Sequence, residues 1–235
     1  MNNQNLDSST TTQNSQNIQS QEVLLRATGI SHNYDYPLFS NIDLTLEKGE
    51  TIAIIGSSGC GKSTLLNILC SLLKPNYGEV FYENTEIYTL SHKKLLELRR
   101  DIFGIIFQAH YLFRGFTARE NLQIAEFLSN KTINEELMKI LKIDHILYQG
   151  IGELSGGQQQ RLSIARILTK RPKIIFADEP TGNLDKNTAK EVMEVLFKYV
   201  AYEKAGMILV THEDDLANLC DKVYQINELG LERVK

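Results

Sequence analysis

From Val23 onward, short apolar runs alternate with stretches in which apolar residues recur every three or four positions. The short runs, at residues 23–30, 42–46, 51–55, 79–82, 103–107, 173–177, 207–211 and 223–226, predict strands. The periodic stretches, at 62–72, 91–99, 118–128, 134–141, 157–169 and 187–202, predict helices. Such alternation predicts an α/β fold, a sheet with helices packed on it. Between about Thr117 and Gly152 the pattern holds helical periods and no convincing strand, which predicts a helical insertion between two strands. No internal repeat is present. Residues 1–21 break the pattern: after Met1 they are nearly all Asn, Gln, Ser and Thr, with only Leu6 and Ile18 as larger apolar side chains. Such a segment buries too little surface to offset its ordering entropy, so it is expected to be a disordered, functionally silent tail. Residues 22–235 are then one globular unit.

Composition narrows the class. With 42% hydrophobic and 23% charged residues, 15 Gly and 4 Pro, a collagenous, wholly disordered or disulfide-stapled chain is excluded. A length of 235 residues suits one large domain, or a domain with a small subdomain, whose core needs no staples. The net charge of −4 and the lack of a basic block argue against nucleic acid as a partner. Cys60, Cys70 and Cys220 are widely spread, without metal-ligand spacing, as in a reducing compartment. No stretch approaches the ~18 apolar residues of a membrane span. The longest candidate, 65–73, is interrupted by Asn67 and Ser71. The N-terminus lacks the basic region and apolar core of a secretory signal. The chain is therefore expected in the cytosol, held at a membrane only through another polypeptide.

The apolar run at 51–55 leads into Gly56-Ser57-Ser58-Gly59-Cys60-Gly61-Lys62-Ser63-Thr64 and then a helical period. This is G-x-x-x-x-G-K-S in a strand–loop–helix context. Its glycines let backbone N–H groups curl inward as an anion nest, and the helix start adds partial positive charge. Lys62 brings a point charge to the β and γ phosphates, and Ser63 a hydroxyl to Mg²⁺. Cys60 sits at a free position where the backbone does the binding; its oxidation, which would obstruct nucleotide, is the minor alternative.

A second cluster ends the run at 173–177 with Asp178, Glu179 and Pro180. Adjacent strand residues point to opposite sides, so the carboxylates take different tasks. Asp178 is placed to hold Mg²⁺ or its water shell, and Glu179 to polarise an attacking water. Pro180 stops the strand, leaving both at the carboxyl edge of the sheet, where ligands bind in open α/β folds. A third feature is Leu154-Ser155-Gly156-Gly157-Gln158, leading into an amphipathic helix through Thr169. Ser155 is a good N-cap, and the glycines expose N–H groups at a second helix start. Its simplest role is to serve the γ-phosphate of a nucleotide bound elsewhere.

The LSGGQ run ahead of the Asp178-Glu179 strand end resembles the signature of ATP-binding cassette (ABC) proteins, and the resemblance extends from Val23 to the C-terminus with motifs in family order. It implies an ABC nucleotide-binding domain: a P-loop NTPase core sheet, an N-terminal antiparallel β subdomain and a helical signature subdomain at about 117–165. It further implies that the signature of one subunit closes over ATP held by the phosphate loop of a second, in a homodimer or heterodimer with two ATP molecules at the interface. Tyr34 matches the aromatic that stacks on adenine, with Tyr36 as its rival and a core or hairpin role as the alternative. Gln108 matches the glutamine that contacts Mg²⁺ and the attacking water, Asp185 the aspartate that signals across the dimer, and His212 the histidine that contacts the γ-phosphate and orients Glu179. The other four histidines match nothing.

Within the family, the resemblance is to ATPase subunits of the lipoprotein-releasing and macrolide-export type. It is carried by GSSGCGKSTLLNIL, the run from Leu98 to Gln108, and ADEPTGNLD at 177–185. It implies integral membrane permease subunits as partners and a place on the cytoplasmic face of the cell membrane. The chain departs from the pattern in a shorter region between Gln108 and the signature, and in Gly150-Ile151-Gly152 where a proline-bearing approach is usual. The aromatics at 107–116 are expected to be part core and part groove for a partner helix. The rival readings are an ABC-type ATPase regulating a division or cell-wall complex without transport, a soluble ATPase of DNA repair or translation, and a small-molecule kinase. Only the first shares every motif; the others lack an account of the single cassette or of LSGGQ.

Overall fold

Along the three innermost strands, successive side chains go alternately to two separate cores, and this alternation decides where the functional groups emerge. The computed structural model describes residues 22–182, 184–227 and 230–235; the expected tail at 1–21 lies outside the described residues. Six strands form the main sheet: β3 (Thr51–Ile55), β6 (Phe103–Ile106), β7 (Ile174–Asp178), β8 (Gly206–Val210), β9 (Lys222–Asn227) and β10 (Gly230–Arg233), in the order β10-β9-β3-β8-β7-β6. All neighbours are parallel except β10, which runs antiparallel to β9. Strands β3, β7 and β8 are buried almost throughout, as their unbroken apolar runs require for a sheet covered on both faces.

Ile52, Ile54, Ile174, Phe176, Ile208 and Val210 enter one core, shared with α1 (Lys62–Leu69) through Leu65, Leu66, Ile68 and Leu69. The second sheet seals that core. It is antiparallel, in the order β2-β1-β4-β5, from β1 (Val23–Asn33), β2 (Pro37–Glu47), β4 (Tyr77–Tyr82) and β5 (Thr85–Glu86). Ala53, Ile175, Ala177, Met207 and Leu209 enter the other core with α3 (Ala118–Ser129), α5 (Gly156–Thr169) and α6 (Lys186–Glu203). Between β6 and β7 the described chain is helical, with α3, α4 (Glu135–Ile140) and α5 and a single bridge between Thr117 and Gly150.

Every expected strand and helix is present, with shifted bounds. The first helix ends at Leu69, short of Leu72: Ser71 takes φ 67°, its N–H bonds Ile68 O and the Leu72 N–H bonds Asn67 O, the paired closure that stops a helix while apolar residues continue. β5, β10, α2's exact span (His92–Asp101) and the one-turn α7 (Asp214–Ala217) are additions or extensions to the sequence reading. No described helix is long and apolar enough to cross a membrane.

Candidate functional site

β3 delivers the chain into residues 56–61, and α1 begins at Lys62. Gly61 is the N-cap of α1 at φ 99°, and a Cβ there would meet Leu38 at 2.8 Å and Phe39 at 2.9 Å. Only glycine satisfies both the left-handed backbone and that close approach. Gly56 and Gly59 also take positive φ. No hydrogen-bond partner is found among the described residues for the N–H groups of Ser58, Gly59 and Gly61, so they remain open donors at a helix start. The Lys62 ammonium lies over this loop, donating to Gly56 O and Ser57 O at 2.9 Å each, with Cys60 Sγ at 4.0 Å.

The Ser63 hydroxyl donates to Asp178 Oδ1 at 3.0 Å. Alternation explains this meeting: Ile174, Phe176 and Asp178 share the face that packs on α1. Burial pushes the Asp178 carboxyl above the ordinary range, opposed by the Ser63 bond and by Lys62.

Glu179 departs from the sequence expectation. β7 ends at Asp178, and Glu179 takes φ 47°, so it leaves the strand instead of facing away from Asp178 within it. A turn closed by Gly182 N–H to Glu179 O follows, and Glu179 N–H bonds Val210 O at 2.9 Å. Left-handed backbone is strained for a residue with a Cβ, and such strain concentrates at functional positions. The result sets Glu179 Oε1 2.8 Å from His212 Nδ1, just after β8, while Glu179 Oε2 is buried without a hydrogen-bond partner among the described residues. The bond to Glu179 raises the His212 imidazole above its ordinary value.

One cavity of about 470 Å³ gathers these groups except Asp178, which stands behind Ser63. Ser58, Gly59, Gly61, Lys62, Ser63, Thr64, Gln108, Glu179 and His212 line it, with Tyr34 and Tyr36. Ser57, Ser58, Gly59 and Cys60 also border an adjoining hollow of about 390 Å³ with Tyr36. Tyr34 is braced by the His32 ring, edge to face at 4.9 Å. His32 is buried and neither ring nitrogen has a hydrogen-bond partner. The sequence offered no signal for it beyond its place two residues before Tyr34.

Ser155, Gly157, Gln158 and Asp185 are absent from that lining. Ser155 caps α5 in a reciprocal box, its N–H to Gln158 Oε1 at 2.8 Å and Gln158 N–H to Ser155 Oγ at 3.3 Å. Among the described residues, a Cβ at Gly156 would meet nothing within 4 Å, and one at Gly157 only Leu184 at 3.5 Å and Arg161 at 4.0 Å. Asp185 caps α6, accepting from Asn187 N–H and Thr188 N–H at 3.1 Å each. Hydrogen bonds from Thr188 first, then Asn187, hold its carboxyl below the usual range. Deeper on α5, Gln160 is buried and donates from Nε2 to Pro180 O at 2.6 Å.

After β6, Asn121 clamps Phe113 by its N–H at 2.9 Å and its C=O at 3.2 Å. Tyr111, Phe113 and Phe116 remain exposed, whereas Leu112 packs on the core. Phe113 and Phe116 stack at 5.8 Å, with the Arg166 guanidinium 6.0 Å from the Phe113 ring.

The family described as ABC transporter matches residues 39–182. The chain is 41% identical over 208 residues to the lipoprotein-releasing system ATP-binding protein LolD of Ehrlichia ruminantium (strain Gardel), covering 85% of this chain and 91% of that one. It is 44% identical over 195 residues to LolD of Rickettsia prowazekii (strain Madrid E), covering 80% and 86%. Among solved structures, it resembles a bacterial ABC transporter cassette in its dimeric form, with TM-score 0.80 and 31% identity over 90% of this chain and 99% of that one. A dimeric post-hydrolysis cassette bound to ADP and Pi matches with TM-score 0.80 and 30% identity over the same shares.

Proposed function

The chain belongs to the ABC transporter family, and from that premise we propose that it is the ATP-binding and ATP-hydrolysing subunit of a membrane complex, closing as a dimer on ATP and opening after hydrolysis. The observation that carries this reading is the convergence of Lys62, Ser63 and the Glu179–His212 pair on one cavity at the carboxyl edge of the sheet, with Asp178 bonded to Ser63 behind it.

In this reading Tyr34 stacks on adenine and the open N–H groups of Ser58, Gly59 and Gly61 receive the phosphates, with the residues from Gly56 to Thr64 as the cradle. Lys62 supplies a positive charge close to the β and γ phosphates. Ser63 and Asp178 would hold Mg²⁺, with Gln108 near it. Their hydroxyl and carboxylate oxygens, 3.0 Å apart, are the hard donors that this ion takes. When bound, the ion neutralises charge on the phosphates. His212 holds the Glu179 carboxylate at the cavity, where it is the group placed to accept a proton from the water that attacks the γ-phosphate. Ser155, Gly157 and Gln158 reach the nucleotide of the other subunit, and Asp185 lies beside them to report across the interface. ATP adds contacts that exist only in the closed state and so shifts the population toward it; hydrolysis reverses the shift.

The exposed face of Tyr111, Phe113 and Phe116 receives a helix of a membrane subunit, which places the chain against the cytoplasmic side of the membrane. The identity to LolD proteins supports lipoproteins as the cargo class. The test is ATP hydrolysis by the purified chain. Glu179→Gln keeps ATP binding and slows turnover by ~10²–10⁴-fold, the usual worth of a general base; turnover at the unsubstituted rate refutes the assignment.

A further inference from the structure

The strained turn that carries Glu179 is not held by its own strand alone. Glu179 stands at φ 47° and is followed by Pro180. Three interactions fix it from different elements. Its N–H bonds Val210 O from β8; Thr181 Oγ1 donates to Glu213 Oε1 at 3.4 Å; and the Gln160 amide donates to Pro180 O at 2.6 Å. The last comes from α5, the helix whose first turn holds Ser155, Gly156, Gly157 and Gln158. Gln160 is 2% exposed, and its Oε1 is buried with no hydrogen-bond partner among the described residues. An apolar side chain of similar shape would avoid that unpartnered acceptor, so nothing in packing favours an amide here. What the amide alone provides is a donor aimed at the carbonyl next to Glu179. Only the Nε2 group can donate, so the bond also fixes the orientation of the amide.

We propose that Gln160 is a positioning residue that joins the N-terminal turn of α5 to the Glu179 turn through its bond to Pro180 O, so that the engagement of the signature and the placement of the general base are mechanically one event. The inference rests on the reading of Glu179 as the base and of Ser155 to Gln158 as the contact with the other subunit's nucleotide. Gln160 lies five residues after Ser155, about 7 Å along a rigid helix. A displacement of the helix start on meeting a nucleotide is therefore carried to Pro180, and through one peptide to the backbone of Glu179. Gln160 touches no reacting atom; it acts through the geometry of its neighbour.

The experiment compares the full chain with Gln160→Met, Gln160→Glu and Glu179→Gln. Methionine keeps shape and loses the donor; glutamate keeps size and offers only acceptors. The readouts are kcat and KM for ATP, ATP binding by nucleotide titration, and cooperative thermal unfolding. Both Gln160 variants are expected to lower kcat at least tenfold with KM and ATP binding within twofold of the unsubstituted chain. Unchanged kcat in the two variants, with Glu179→Gln inactive, overturns the role of Gln160 while leaving the base assignment standing. An active Glu179→Gln overturns the base assignment itself. Loss of ATP binding or of cooperative unfolding in both Gln160 variants shows that the bond serves the fold, and overturns the positioning role.

Discussion

Among the described residues two α-helices, α1 and α5, start on glycines, and they are built on opposite principles. At α1 the N-cap is Gly61 with no side-chain cap, a left-handed backbone and no room for a Cβ. At α5 the N-cap is Ser155, a reciprocal box with Gln158 satisfies the end, and Gly156 and Gly157 face open space or ordinary contacts. The first set of glycines is required by the chain's own geometry. The second is not, and glycine in a helix is less favourable than alanine by roughly 0.5–1 kcal/mol. A residue whose cost has no return inside the chain points to a requirement outside it. In the proposed reading the phosphate loop takes its shape from its own chain, whereas the signature is a surface that another molecule completes.

The comparison breaks most visibly at Ser155. Ser155→Arg is expected to abolish turnover while ATP binding by the single chain, read by nucleotide titration, stays unchanged. Normal turnover would mean that this helix start faces no nucleotide. Lys62→Ala acts on the other side of the comparison: it removes one charge-assisted bond and weakens ATP binding by ~1.5–3 kcal/mol in the same titration. The glycines sharpen the contrast. Gly61→Ala places alanine in a left-handed backbone, at about 1–2 kcal/mol before any clash with Leu38 is counted, and lowers the unfolding midpoint in denaturant. Gly157→Ala leaves that midpoint unchanged or raises it, with a gain in stability of up to about 1 kcal/mol, yet slows turnover. Equal destabilisation by the two would erase the distinction.

The smallest effect concerns His212. Its imidazole is raised above about 6.5 by Glu179. The stability this pair contributes is present below the unfolded value and fades as pH rises through the raised one. An NMR titration is expected to show His212 holding its proton to higher pH than a free histidine, and falling back toward the ordinary value in Glu179→Gln. No change between the two chains would mean that the pair does not persist in solution.

Much of this architecture could be read from residues alone, for specific reasons. The inner strands stand out because both faces are buried, so 51–55, 174–177 and 207–210 are unbroken apolar runs. β10, with Gly230, Leu231, Glu232 and Arg233, carries no such pattern, since it is an edge strand defined only by its pairing with β9. The phosphate loop was legible because its chemistry is local, set by glycine spacing over nine residues from Gly56 to Thr64. The roles of His32 and Gln160 were not, because each depends on a neighbour that exists only after folding: the ring of Tyr34 for one, the carbonyl of Pro180 for the other. The left-handed turn at Glu179 was hidden for the same reason, since its bond to Val210 joins two strands far apart in sequence.

The central claim, that two copies share each triphosphate, is tested most directly by the mass of Glu179→Gln in solution with and without ATP, by light scattering after gel filtration. The account predicts a shift from the 26.7 kDa chain to twice that mass on adding ATP, lost when Ser155→Arg is added. A single chain that binds ATP without doubling, or a pair indifferent to Ser155→Arg, would contradict it.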